Sequence, residues 1–279
     1  AANRRTDQNL VNVMKNYLAN KSFSRGTSIY GAEASMAFIG NTTHTVPYML
    51  KNTDLFDELP DAYRDPAWLD RIHHYIPGWE VAPIRAEMFS SGYGFVVDYL
   101  AEILRAKRSE DLSDKYKGYF KLDNSISTRD QDGVRKTFSG LMKLVHPTGE
   151  ATEDEVRTLL EFAIEGRKRV KDSILRIDAT MRDTPIRFRY SDATGVWHDV
   201  ITLEERQYPT LYRREWDSQP REGDEAGESV GTAAAAQSPG GAEAPREPEL
   251  AEGHLEFMAG QRGVTYETLL LPYLHGATR

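Results

Sequence analysis

Apolar residues recur at helical spacing near the start of the chain. Leu10, Val13, Met14, Tyr17 and Leu18 share one face of residues 8–19, which predicts an amphipathic helix. Lys21 to Gly31, with Gly26 and Gly31, reads as a turn or hairpin. Ser35-Met36-Ala37-Phe38-Ile39-Gly40-Asn41 has a different pattern. It is a short continuous apolar run bounded by polar residues, as expected of a strand covered on both faces in a parallel sheet. Residues 52–68, with Pro60 and Pro66, read as irregular. Trp68 to Ile76 reads as a compact segment that stops at Pro77-Gly78.

From Tyr93 onward the pattern turns helical. Val96, Val97, Leu100, Ile103 and Leu104 form one stripe, and Val134, Phe138, Leu141, Met142 and Val145 form a second. Ser127, with Asp130 three residues on, predicts the N-cap of the second helix, and Pro147 and Gly149 end it. Thr152-Glu153-Asp154-Glu155 is a capping box. It opens a third helix with Val156, Leu159, Leu160, Ala163, Val170 and Ile174 facing inward. These helices predict a small bundle. Ile186 to Tyr190, a turn from Ser191 to Gly195, and Val196 to Leu203 alternate like a β-hairpin. There is no internal repeat.

Composition changes this picture most in one place. The chain has 279 residues, 39% hydrophobic, with net charge −8. Residues 217–252 hold nine acids against two bases and almost no large apolar side chain, so most of the net charge is theirs. Such a segment cannot bury enough surface to offset the entropy of ordering, and it is expected to be a disordered acidic linker. The near-neutral remainder neither excludes nor suggests a nucleic-acid partner. The absence of cysteine removes disulfides, thiolate catalysis and cysteine-based metal sites. No run of 18 apolar residues occurs, and residues 1–9 are polar with no apolar h-region after them. The expectation is a cytoplasmic protein. Both ends of the sequence read as cut from something longer.

Few residues carry candidate chemistry. Asn41 closes the expected strand, and ligands of open α/β sheets bind beyond strand carboxyl ends. A polar side chain there can position a water near a γ-phosphate. An Asn after Gly also simply makes a turn, and on position alone that is the commoner outcome. Arg71, in Leu69-Asp70-Arg71, can supply a guanidinium that stabilises charge developing in phosphoryl transfer. The alternative is an Asp70–Arg71 surface pair of little worth. His73 and His74 are adjacent and point apart, so they do not form a metal pair, and no metal site is expected. Arg129, Arg135 and Lys136 lie early in the second stripe helix, where a cation can touch phosphates or a solvated basic face can form. The cluster Arg167-Lys168-Arg169-Val170-Lys171 reads first as a solvated helix face and second as a phosphate contact. No G-x-x-x-x-G-K-[ST], G-x-S-x-G or H-E-x-x-H occurs.

Taken in order, residues 8–205 resemble the ATPase region of the BrxL family, the Lon-protease-like AAA+ proteins of BREX phage-defence systems. The stretches that carry the resemblance are Ala34 to Asn41, LDRIHHYIPGWE from Leu69 to Glu80, and Tyr93 to Glu102. Val134 to Leu144 and EFAIEGRKRV from Glu161 to Val170 continue it. The resemblance implies that Asn41 is sensor 1, Arg71 an arginine finger acting in trans and Arg135 sensor 2. It also implies a ring-forming ATPase that uses ATP and Mg, associates with DNA and works beside other BREX components. The Walker A and B elements and a Ser–Lys protease dyad are not recognisable in this sequence. Gly260 to Glu267 looks like the opening of a phospholipase D-like, MIT-associated C-terminal domain.

The resulting fold class is the α/β end of an AAA+ core followed by an α-helical lid bundle, a small β-hairpin and a disordered linker. The corresponding divisions are 1–90 for the core part, 91–180 for the lid, 181–216 for the hairpin extension, 217–252 for the linker and 253–279 for the start of a further domain. The expected function is the sensing part of a BREX antiphage-defence ATPase, inactive as this chain alone. The rival readings are an ATP-dependent Lon-type protease and a non-enzymatic DNA- or protein-binding adaptor derived from an ATPase.

Overall fold

The computed structural model describes residues 8–212, apart from Ser90, Phe95, Ala179 and residues 181–185, and gives only the backbone of Arg25. The expected linker and the C-terminal domain opening lie outside the described residues. Those residues form helices with two small antiparallel sheets, an arrangement consistent with an AAA+-like domain.

The first helix, α1 (Gln8–Asn20), ends where Lys21 takes a left-handed φ of 54°. Of the turn or hairpin expected next, the hairpin is present, with β1 (Ser22–Arg25) paired to β2 (Ser28–Gly31). The expected strand after it is not. Ser35 to Asn41 has no regular structure and is exposed throughout, with Ile39 at 97%. A covered parallel strand needs hydrogen-bonded neighbours and packed faces. Among the described residues no strand pairs with this run, and only Phe38 meets an aromatic partner, Trp68 at 5.1 Å between ring centroids.

Short helices α2 (Val46–Asn52) and α3 (Pro66–Leu69) follow. Next comes α4 (Val97–Ala106), where the first stripe was expected. It buries none of its residues: Tyr99, Leu100 and Leu104 remain exposed. The amphipathic pattern sets the helix, but no described element covers its apolar side.

Helices α5 (Thr128–Val145) and α6 (Glu153–Ile177) form where their caps predict. In each, the cap side chain and the N3 carboxylate satisfy one another's backbone N–H: Ser127 with Asp130, and Thr152 with Glu155. With 25 residues, α6 runs roughly 37 Å and serves two cores. Its first half, through Leu160, Ala163 and Ile164, packs with Val134, Phe138 and Met142 of α5 and with Tyr116, Phe120 and Tyr190. Its second half, through Val170 and Ile174, packs with Val11, Phe56, Trp68 and Leu69. The predicted hairpin appears as β4 (Arg189–Ser191) and β5 (Trp197–Asp199), and β3 (Lys121–Leu122) joins the β4 edge. Two short helices, α7 (Leu203–Gln207) and α8 (Pro209–Tyr212), end the described chain. No helix among the described residues is long and apolar enough to cross a membrane.

Candidate functional site

The stretch from Asp65 to Glu80 is built by local rules before it is used. Asp65 caps α3 by accepting from the Ala67 N–H at 3.0 Å, and Pro66 occupies the first turn, where no N–H is needed. The single turn drives Trp68 and Leu69 fully into the α6 core. The chain then leaves the helix at Asp70 and crosses the faces of α5 and α6 without regular structure.

Two glycines make room for this crossing. A Cβ at Gly133 of α5 would lie 3.2 Å from the His73 carbonyl oxygen. A Cβ at Gly166 of α6 would lie 2.0 Å from the His74 ring. The Tyr75 N–H donates to the Gly166 carbonyl at 3.1 Å, and the His74 ring lies 4.9 Å from Phe162.

Buried charge fixes the same stretch. Asp70 is nearly inaccessible and does not pair with its neighbour Arg71. Its carboxylate receives Arg167 Nη2 at 2.6 Å and also the Arg129 guanidinium. Arg167 is fully buried and meets Asp130 as well, through Nε at 2.8 Å. Its Nη1 donates to two backbone carbonyls, Asp70 O at 3.1 Å and Ile72 O. Lys171 Nζ stands 3.9 Å from Asp70 and 3.8 Å from Asp130. Burial alone would raise the Asp70 pKa, but the Arg129 hydrogen bond and the Arg167 and Lys171 charges bring it below the usual carboxylate value.

A second cluster is built on Arg169, two residues further along α6. Arg169 meets Glu80 at 2.6 Å, Glu165 at 2.8 Å and Glu204 at 3.0 Å. Glu204 also accepts from the Trp79 indole at 2.8 Å. Burial works against the Arg169 charge, and the three carboxylates outweigh it, so its pKa is raised.

These contacts overturn the expectation of a solvated or phosphate-touching face at residues 167–171. Arg167, Arg169 and Lys171 are buried and paired inside the protein, and Lys168 pairs with Glu205 at 2.5 Å. One signal was present in the sequence. Arg167 falls at helical spacing on the inward stripe formed by Leu160, Ala163, Val170 and Ile174, and a cation placed there requires buried acids. Nothing local names those acids, because Asp70 is 97 positions away.

His73 and His74 are held neutral. Burial lowers both to about 4; Lys136 and Arg167 add to this at His73, and Arg169 adds to it at His74. Both His74 ring nitrogens are buried with no hydrogen-bond partner among the described residues, so protonation would add a second unpaired donor and a buried charge.

The three residues singled out from the sequence lie in different settings. Arg71 is half-buried, and its guanidinium donates only to the Ala67 carbonyl among the described residues. Its Nε is buried and unpaired. Arg135 projects from α5 toward Asp114, at 2.9 Å, and Ser113. Asn41 is exposed at the end of the irregular 32–42 run. No hydrogen bond or ion pair joins the three among the described residues. Arg71 and Arg135 do belong to segments in contact, since the His73 carbonyl packs at Gly133, two residues before Arg135. Elsewhere, His44, Asp57 and Glu58 bring three ligand-type atoms within 4.8 Å of one another. They are already engaged: His44 with Asp57 at 2.8 Å, and Glu58 with the Thr43 N–H at 2.9 Å.

The segment 69–80 and helices α5 and α6 thus form one charged, interlocked unit, and they fall within the region matched by known proteins. Residues 1–186 match the family described as Lon-like protease BrxL-like, ATPase domain. The chain belongs to this family. It is 41% identical over 206 residues to the Lon-like protease BrxL of Bacillus cereus strain H3081.97, covering 74% of this chain and 30% of that protein. It is also 41% identical over 199 residues to the Lon-like protease BrxL of Escherichia coli O9:H4 strain HS, covering 71% of this chain and 28% of that protein. The chain therefore spans under a third of the length of these BrxL relatives, and the BrxL family match ends within the described fold, just before β4.

Proposed function

We propose that this chain carries the nucleotide-sensing part of a BREX-type, ring-forming AAA+ ATPase. Arg71 acts as the arginine finger in a neighbouring subunit's ATP site, Arg135 as sensor 2 toward the subunit's own nucleotide, and Asn41 as sensor 1. Residues 1–90 belong to the core, 91–180 to a helical lid, 181–216 to a hairpin extension and 217–252 to a linker. Residues 253–279 open a further domain. The complete protein uses ATP and Mg, works in the cytoplasm and engages DNA and other BREX components.

The observation that supports this reading is the commitment of Asp70. A surface Asp70–Arg71 pair was the plain explanation of that dipeptide. Asp70 is instead consumed by Arg167 and Arg129, and Arg71 forms no ion pair among the described residues, its guanidinium donating to the Ala67 carbonyl with the Asp65 carboxylate as its electrostatic neighbour. A cation on an anchored segment, with no ion pair of its own among the described residues, suits delivery to an anion outside the subunit. The 279 residues contain no phosphate-cradling G-x-x-x-x-G-K-[ST] loop, so the chain alone is expected to bind ATP weakly and not to hydrolyse it.

The test is Arg71→Ala in the full-length protein, assayed as assembled rings. The expected result is a loss in kcat of about 10³-fold or more with little change in ATP affinity. An unchanged kcat refutes the assignment.

A further inference from the structure

We propose that Arg167 is a positioning residue that holds the finger segment and the sensor-2 helix on a single anchor, so that one subunit's nucleotide state is passed to its neighbour's active site. This rests on the reading of Arg71 and Arg135 above.

One guanidinium makes every link in the argument. Its Nη1 donates to the carbonyls of Asp70 and Ile72, the residues on either side of Arg71. Its Nη2 takes the Asp70 carboxylate at 2.6 Å. Those three contacts fix the backbone from which Arg71 projects. The same Nη2 lies 2.7 Å from Asp130, and Nε lies 2.8 Å from the same oxygen. Asp130 is the N3 residue of the α5 capping box, and its other oxygen takes the Ser127 hydroxyl at 2.6 Å. Arg167 therefore also fixes the first turn of α5, and Arg135 lies five residues further along that helix. Gly133 completes the joint, since its absent Cβ leaves room for the Arg167 chain and the His73 carbonyl at once.

The geometry demands arginine. Five donors in a planar fork serve two carboxylates and two carbonyls simultaneously, and a lysine ammonium has three donors at one point. Movement of α5 with its own nucleotide cannot leave the Arg71 backbone behind, because both are bonded to the same buried group. A pair of cations near the same acids does not do this. Arg129 and Lys171 compensate charge, but neither donates to the carbonyls that flank Arg71 among the described residues.

The experiment uses the full-length protein as assembled rings and compares Arg167→Lys, Arg71→Ala and the double variant. Asp70→Asn serves as the second probe if Arg167→Lys does not assemble, because it keeps the carbonyl bonds and weakens one anchor. Arg167→Lys is expected to lower kcat by about 10- to 100-fold through misplacement of the finger, with ATP affinity within about two-fold. The Hill coefficient for ATP should fall toward one. In the Arg71→Ala background Arg167→Lys should cost little more, because the finger it positions is gone. Asp70→Asn should shift kcat and the Hill coefficient in the same direction by a smaller factor. An Arg167→Lys ring with unchanged kcat and cooperativity overturns the inference alone. Losses that multiply in the double variant also overturn it. No loss in Arg71→Ala overturns the finger reading, and this inference with it.

Discussion

Gly166 and His74 are in such close contact that a Cβ at Gly166 would lie 2.0 Å from the imidazole. The ring cannot swing away freely, because Phe162 lies 4.9 Å from it, centroid to centroid. Glycine in the middle of a helix costs stability, so its presence in α6 has a packing cause. Gly166→Ala is expected to destabilise the chain by about 1–3 kcal/mol through overpacking. Gly140→Ala in α5 meets nothing within 4 Å and is expected to stabilise by about 0.5–1 kcal/mol. Urea titration of the two variants should move the midpoint in opposite directions.

The Arg169 cluster leads to a larger effect. Arg169→Met removes a buried cation that meets Glu80, Glu165 and Glu204, and it takes that charge away from all three carboxylates at once. The expected loss is about 3–5 kcal/mol. Arg105→Ala breaks an ion pair with Glu102 in which both side chains are over two-thirds exposed, and it should change stability by less than about 0.5 kcal/mol. Thermal unfolding of both variants against the parent chain checks the contrast.

The paired histidines give the chain an acid sensitivity of known sign. His73 and His74 titrate near 4 in the folded protein and near 6.5 when unfolded, so the unfolded state takes up protons first. Arg169 faces His74, and Lys136 and Arg167 face His73, so these cations oppose protonation of both rings, while Asp132 beside His73 favours it and is outweighed. Stability from this source is fully present above pH 6.5 and is lost as pH falls toward 4, by up to about 3 kcal/mol for each ring. Asp70, with its lowered pKa, adds a further loss only below the ordinary carboxylate value of 3.8. His74→Phe should flatten the upper part of this profile between pH 6.5 and 4. A profile unchanged in that window would contradict the assignment of a neutral buried ring.

Caps set helix boundaries here, and one is directly testable. Thr152→Ala removes the hydroxyl that accepts the Glu155 N–H and donates to the Glu155 carboxylate at 2.8 Å. The expected cost is about 1 kcal/mol, readable as a lower thermal midpoint, and Thr152→Ser should retain most of it.

What could be read from the sequence divides by the range of the interactions involved. Helices α5 and α6 and the β4–β5 hairpin were legible because their signals lie within a few residues: capping pairs, apolar stripes and a turn. The run from Ser35 to Asn41 has the apolar pattern of a strand but is irregular, because its hydrophobicity shows a demand for burial without naming what covers it. The burial of Arg167, Arg169 and Lys171 is not legible in the sequence for a related reason. Charge-rich helix faces are usually solvated, and the acids that reverse this here come from residues 70, 80, 130 and 204. The Leu69–Glu80 stretch carries part of the family resemblance in the sequence, but its attachment to α6 depends on contacts nearly a hundred residues apart.

Mixing two inactive full-length variants tests the proposal that Arg71 works in a neighbour's ATP site. One carries Arg71→Ala; the other keeps Arg71 and has its phosphate-loop lysine replaced. In mixed rings, an intact ATP site on the first variant can face an intact Arg71 on the second. ATPase activity, negligible in either variant alone, should reappear on mixing and rise with the fraction of mixed interfaces. Rings that demonstrably mix and remain inactive would contradict it.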